Sequence, residues 1–253
     1  IVPDGKNHGM LMVIDFSGSM YDKMSETIEQ MLVQVSFCKK VNIPFEVYSF
    51  TDRHWGDDQK HLVENQKESD VRIVDSNICI NKLISSDMSS AGYKRAFSNL
   101  LLIATAYSYR YNGKPYVKRE TLPPYLGLGG TPLAETILLL RDRAIDFRNH
   151  YNIEVLNTLF LTDGGNTGHL DLGKTPSYRS PGNKDRVVIT EGGVTTIGYN
   201  QSKLYGRRWS DVICETVLKH FDKTTGSRTI NYFLGNPQKR DLGSIWTDMH
   251  GYD

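Results

Sequence analysis

The sequence predicts an α/β fold in which helices flank a central, mostly parallel sheet. Residues 10–14 are an uninterrupted apolar run, which is typical of a strand that a parallel sheet buries on both faces. A helical pattern follows over residues 22–41, and residues 43–50 are β-rich and alternate in polarity. A strand, a helix and a second strand in this order form a βαβ unit, which requires a parallel sheet covered by helices.

The first helix has an apolar stripe with helical spacing, which we expect to pack in the core without any cofactor. Its members are Met24, Ile28, Met31, Leu32, Val35 and Cys38.

The remaining core elements follow from similar patterns. Thr131 and Pro132 stand where the N-cap and the first residue of a helix belong. The other elements are predicted as a helix over 94–109, a strand over 154–165, a helix over 208–226 and a final strand over 229–236.

Two polar segments interrupt this core as insertions. The first, residues 51–92, contains a short strand or hairpin at 71–84, and the second, residues 166–199, contains a β-hairpin around Gly192 and Gly193. We expect residues 1–253 to form a single domain. Because the chain does not start with Met, we also expect it to be a piece of a longer protein.

The composition restricts the classes of partner. A net charge of +1 gives no field that would attract nucleic acid or an anionic membrane surface. No apolar segment reaches the ~18 residues needed to span a bilayer. The three cysteines are far apart and form no CxxC pair, which argues against disulfides and thiolate zinc sites and favours a reducing, cytoplasmic location.

Short oxygen-bearing side chains gather where the predicted strands end. Asp15, Ser17 and Ser19 follow the first strand, Asp163 ends a later one, and Thr131 lies in the glycine-flanked loop "LGLGGTPL". In open α/β sheets, ligands bind beyond the carboxyl ends of the strands. Two carboxylates and three hydroxyls suit Mg²⁺, Mn²⁺ or Ca²⁺ better than zinc or copper.

The segments "DFSGSM", "GGTPL" and "LTDGG" resemble the three parts of the metal-ion-dependent adhesion site (MIDAS) of von Willebrand factor A (VWA) domains. The resemblance places the DxSxS motif on Asp15, Ser17 and Ser19, the separate threonine on Thr131 and the separate aspartate on Asp163. It implies a Rossmann-like VWA fold that binds one divalent cation. It also implies a protein partner whose carboxylate completes the shell of the ion.

Within this family the motifs are most similar to intracellular members that act with AAA+ ATPases, such as the large subunit of cobaltochelatase (the CobT type) and its phage relatives. The resemblance implies a partner of the MoxR/CobS type and a subunit without catalytic residues of its own. The two insertions depart from the family pattern.

Other functions remain open. The domain could be a structural or adhesive component of a virion or surface assembly, or a hydrolase that uses the metal of the site.

A serine nucleophile lacks a paired histidine and a G-x-S-x-G elbow, and a phosphotransfer role for Asp15 lacks a second acid at position 17. His54 and His61 form a weak second metal candidate, and the aromatic and basic stretch 107–120 is a weak nucleic-acid candidate.

Overall fold

A computed structural model gives the structure of the chain for a defined set of residues. These are 7–52, 72–73, 78–108, 117, 122–123, 126–163, 170–171, 186–191, 193–199 and 209–234. His54, His61 and most of the stretch 107–120 lie outside this set, so their predicted roles stay predictions.

The described elements alternate between strands and helices along much of the chain. The strands are β1 (His8–Asp15), β2 (Phe45–Thr51), β3 (Arg72–Ile73), β4 (Cys79–Ser85), β5 (Val155–Thr162), β6 (Leu170–Asp171), β7 (Arg186–Glu191), β8 (Val194–Tyr199) and β9 (Ser227–Phe233). The helices are α1 (Met24–Lys40), α2 (Ser90–Tyr107), α3 (Leu133–His150) and α4 (Trp209–Thr225), and a short 3₁₀ helix (Gly18–Asp22) precedes α1.

Five strands form the central sheet in the order β4-β2-β1-β5-β9. The β1–β2, β1–β5 and β5–β9 pairs are parallel, and only the edge strand β4 runs antiparallel to its neighbour β2. This mixed α/β architecture with a mostly parallel sheet is consistent with a Rossmann-like fold and confirms the predicted fold class. The carboxyl ends of β1, β2 and β5 therefore lie at the same edge of the sheet.

Helices cover both faces of the sheet, which explains the uninterrupted apolar run in β1. Leu11 and Val13 belong to the core that α3 and α4 cover, whereas Met12 and Ile14 belong to the core beneath α1 and α2. Successive side chains of a strand point to opposite faces, so all four are buried.

The predicted stripe of α1 is confirmed, since all six of its residues are buried. They pack in the core beneath α1 and α2. The three cysteines are free thiols. None of the helices in the described part of the chain is long and apolar enough to cross a membrane.

The structure changes the extent of the first insertion. The predicted segment 51–92 includes β4, which belongs to the central sheet because it pairs with β2 from Glu46↔Ser85 to Thr51↔Cys79. Its later part also contains the start of α2. The later part of the strand or hairpin predicted at 71–84 thus corresponds to β4, but β4 is an edge strand of the central sheet and not part of an insertion.

The helix after the glycine-rich loop begins one residue later than predicted. Pro132 is the N-cap of α3, with a ψ of 61° that is not helical, and Leu133 is the first helical residue. Thr131 therefore precedes the cap instead of forming it.

The hairpin predicted in the second insertion is confirmed as β7–β8, and Gly193 in its turn has a φ of +77° that suits glycine. Val187 and Ile189 of β7 are buried in the core shared with α4. The short strands β3 and β6 pair with each other and so connect the two insertions.

Candidate metal centre

Asp15 lies at the carboxyl end of β1 and is completely buried. Its Oδ2 accepts a hydrogen bond of 2.7 Å from the hydroxyl of Thr162, the last residue of the neighbouring strand β5. The two residues are 147 positions apart in the sequence, and the parallel pairing of β1 with β5 brings them together.

The second carboxylate oxygen of Asp15, Oδ1, is buried and has no hydrogen-bond partner among the described residues. Burial raises the pKa of Asp15 from 3.8 to about 6, and the negative charge of Asp163 raises it further, while the nearby hydroxyls of Thr162 and Ser17 lower it. The group is therefore largely ionised at neutral pH. A buried anion with an open oxygen is costly, and a cation beside it would remove much of that cost.

Ser17, Ser19 and Asp163 form a chain of hydrogen bonds above this carboxylate. The two serine hydroxyls are 3.0 Å apart, and Ser19 Oγ donates to Asp163 Oδ1 over 2.6 Å. The serines lie at the start of the 3₁₀ helix, whereas Asp163 directly follows β5. Three of the predicted ligands thus meet at one end of the sheet through contacts that span 144 residues.

The glycine-rich loop is fastened to the same place by backbone hydrogen bonds. Gly18 N–H donates to the carbonyl of Gly129 over 2.7 Å, and Gly129 N–H donates to the carbonyl of Phe16 over 2.9 Å. Gly130 N–H donates to the carboxylate of Asp52, which follows β2. These bonds hold the backbone next to Thr131, whose side chain is buried.

Lys23 also contacts this group of oxygens, although the sequence analysis did not select it. Its Nζ lies 2.7 Å from Asp163 Oδ2, and the side chain of Asp163 is only 2% exposed. Lys23 is the N-cap of α1 and directly follows the 3₁₀ helix. No local spacing identifies this residue, because its partner Asp163 is 140 positions away in the sequence.

Two further residues of the site could have been found from position alone. Asp52 follows the end of β2 just as Asp163 follows the end of β5, and Thr162 immediately precedes Asp163. Three of the four parallel strands, β1, β2 and β5, thus end in or directly before an acid, and only the acids of β1 and β5 were selected from the sequence.

The donor set fits a hard divalent cation. Hydrogen bonds connect Ser17, Ser19 and Asp163. Asp15 accepts from Thr162 and lies near the hydroxyl of Ser17, and the anchored loop brings the backbone of Thr131 to the same end of the sheet. All five side chains offer oxygen, which Mg²⁺, Mn²⁺ and Ca²⁺ prefer. Asp15 Oδ1, a buried carboxylate oxygen without a hydrogen-bond partner among the described residues, is an atom that a bound cation would satisfy.

Comparison with known proteins does not identify the family of this chain. No protein-family model matches it, and no curated protein matches its sequence. Two crystal structures of the pilus adhesin SpaC from Lactobacillus rhamnosus GG, one of them in an open conformation, align with 98% of this chain at 15% identity. Their TM-scores are 0.45 and 0.44, and the chain spans only 27% and 26% of the adhesin chains. At this level of similarity they do not indicate the function of this chain.

Proposed function

We propose that this chain is a VWA-type domain that binds one divalent cation and, through that ion, an acidic side chain of a protein partner. The observation that carries the proposal is the buried carboxylate of Asp15, with one oxygen open, beside Ser17, Ser19 and Asp163. The three sequence motifs that resemble a MIDAS support the same set of residues.

The five side chains would hold the ion in two ways that depend on their chemistry. The hydroxyls of Ser17, Ser19 and Thr131 would bind the ion directly, and the carboxylates of Asp15 and Asp163 would hold it through water, as suits an ion that keeps part of its hydration shell. The bound cation would supply a positive charge that attracts and orients a carboxylate from outside. The residues of this chain then bind and position the ion and need not act as nucleophile or base.

We further propose that the partner is an AAA+ ATPase of the MoxR/CobS type, with this chain as part of a CobT-like subunit in the cytoplasm. Support comes from the similarity of "DFSGSM", "GGTPL" and "LTDGG" to the intracellular branch of the family. Phage relatives of that branch carry such domains too.

The metal proposal is tested by calorimetric titration of Mn²⁺ into the wild type and Asp15→Asn. We expect one binding site in the wild type and an affinity at least about tenfold weaker in the variant, since loss of a group that orients a metal commonly has this effect. Glu154→Gln is the matched control, because Glu154 is an exposed acid directly before β5, at the opposite end of the sheet from the site. Equal Mn²⁺ affinities in the wild type and Asp15→Asn would contradict the assignment of the site.

The partner proposal needs a separate experiment. Immobilised domain is incubated with source lysate in Mg²⁺ or in chelator, and bound proteins are identified by mass spectrometry. Capture of an AAA+ ATPase only in Mg²⁺ supports the proposed partner. Capture of shell or surface proteins alone, or binding that is independent of metal, favours the structural alternative.

A further inference from the structure

Lys23 is a cation already present among the oxygens of the candidate metal centre. Its ammonium contacts Asp163 Oδ2 at 2.7 Å, while Ser19 donates to the other oxygen of the same carboxylate at 2.6 Å. Both oxygens of Asp163 are thus engaged by groups of this chain. A metal ion that uses Asp163 must share that carboxylate with Lys23 or displace it.

The position of Lys23 allows such a displacement. Its side chain is 29% exposed, and it borders a cleft of about 340 Å³ between the start of α1 and the ends of β5 and β9. Asp22 and Glu26 line the same cleft, so a displaced ammonium would move into a space that acids border. Because the side chain of Asp163 is almost fully buried, it would lose its counter-charge when Lys23 moves away unless a metal ion replaces the ammonium.

We infer that Lys23 is an internal counter-ion of the metal centre, which neutralises Asp163 when no ion is bound and lowers the affinity for the ion. This inference rests on the proposed function. The physical reason is that the positive charge of Lys23 repels the cation and competes with it for Asp163. The ion is then held firmly only when a further carboxylate joins it, so metal and an acidic partner bind cooperatively.

The magnitude follows from Coulomb's law. The repulsion between one unit charge and a dication a few ångströms apart, in the high effective dielectric of a partly exposed site, corresponds to about tenfold in affinity. The repulsion grows with the charge of the ion, so a trivalent ion gains more than a divalent one when Lys23 is removed. A purely structural role of Lys23 would not depend on the charge of the ion.

The test titrates Mn²⁺ and Tb³⁺ separately into the wild type, Lys23→Met and a control, Lys40→Met. Lys40 is exposed at the far end of α1, so its variant removes the same net charge away from the site. Lys23→Gln serves as a second variant in case the methionine variant does not fold. Urea unfolding of each variant in chelator confirms that the fold is retained.

We expect the Lys23 variants to bind Mn²⁺ about tenfold more tightly than the wild type and to gain more than that for Tb³⁺, with Lys40→Met unchanged. Mn²⁺ binding that is detected in the Lys23 variants but not in the wild type or Lys40→Met would also support the inference. If the wild type binds Mn²⁺ and the Lys23 variants bind it equally or more weakly, this inference is wrong and the metal site stands. If no variant binds either ion, the proposed function fails, and the inference fails with it.

Discussion

The cost of burying Asp15 predicts that a variant without this charge is more stable than the wild type when no metal is present. Asp15→Asn keeps the size of the side chain and retains a carbonyl oxygen that accepts the hydrogen bond from Thr162. It removes the buried negative charge, whose Oδ1 is open among the described residues. A functional acid is thus expected to reduce the stability of the metal-free fold.

The magnitude follows from the raised pKa. Burial, the main cause, raises the pKa of Asp15 from 3.8 to about 6, which corresponds to about 3 kcal/mol against the ionised form in the folded protein. The variant loses about 1 kcal/mol of this gain in stability, because the N–H groups of its new amide lack an acceptor. We therefore expect Asp15→Asn to raise the free energy of unfolding by about 2 kcal/mol at pH 7.5.

The dependence on pH has a definite sign. Because the folded chain holds the proton of Asp15 more tightly than the unfolded chain, it binds more protons between pH 3.8 and about 6. The stability of the wild type thus falls as the pH rises through this window, and the penalty is complete above it. In the variant this contribution is absent, so its advantage disappears near pH 4.

Urea unfolding in chelator, followed by circular dichroism at pH 4 and pH 7.5, measures the free energy of unfolding of the wild type and of Asp15→Asn and its dependence on pH. Glu154→Gln, which removes an exposed acid at the opposite end of the sheet, controls for net charge. A variant that is less stable than the wild type at pH 7.5, or an advantage that is the same at both pH values, would refute the argument from burial.

Two further predictions concern the ion and the loop that carries Thr131. Mg²⁺ at a hundred times its wild-type dissociation constant should raise the free energy of unfolding of the wild type by about 2.7 kcal/mol and that of Asp15→Asn, which binds at least about tenfold more weakly, by about 1.4 kcal/mol or less; equal stabilisation of both would indicate binding elsewhere. Asp52→Ala removes the acceptor of Gly130 N–H and should lower stability by about 1 kcal/mol and weaken Mn²⁺ binding several-fold, since the loop loses an anchor. Unchanged Mn²⁺ affinity in Asp52→Ala would show that the remaining backbone bonds suffice to place the loop.

Most of the fold could be predicted from local patterns. The apolar run of β1 and the stripe of α1 are periodicities that neighbouring residues produce by themselves, and the structure confirms both. A strand was predicted within 71–84, but its place at the edge of the central sheet was missed, because the pairing of β4 with β2 is a tertiary contact that local patterns do not show. The exact start of α3 also escaped prediction, because it depends on the backbone angle of Pro132.

The residues of the candidate site were also predicted only in part. The sequence supplied Asp15, Ser17, Ser19, Thr131 and Asp163 as oxygen donors near strand ends, and their binding of an ion stays a prediction. Lys23 was missed because its partner, Asp163, is 140 positions away in the sequence.

The sequence alone indicated most of the strands and helices and five oxygen-bearing side chains near strand ends, because both are properties of short segments. Tertiary structure decided that β1 lies beside β5, that the loop before α3 is bonded to the start of the 3₁₀ helix, and that Lys23 faces Asp163. These arrangements depend on the packing of distant segments around two shared cores. Tertiary structure also buries the carboxyl group of Asp15, which would ionise freely in water, and burial raises its pKa. A cation beside the ionised form would reduce the cost of burying that charge.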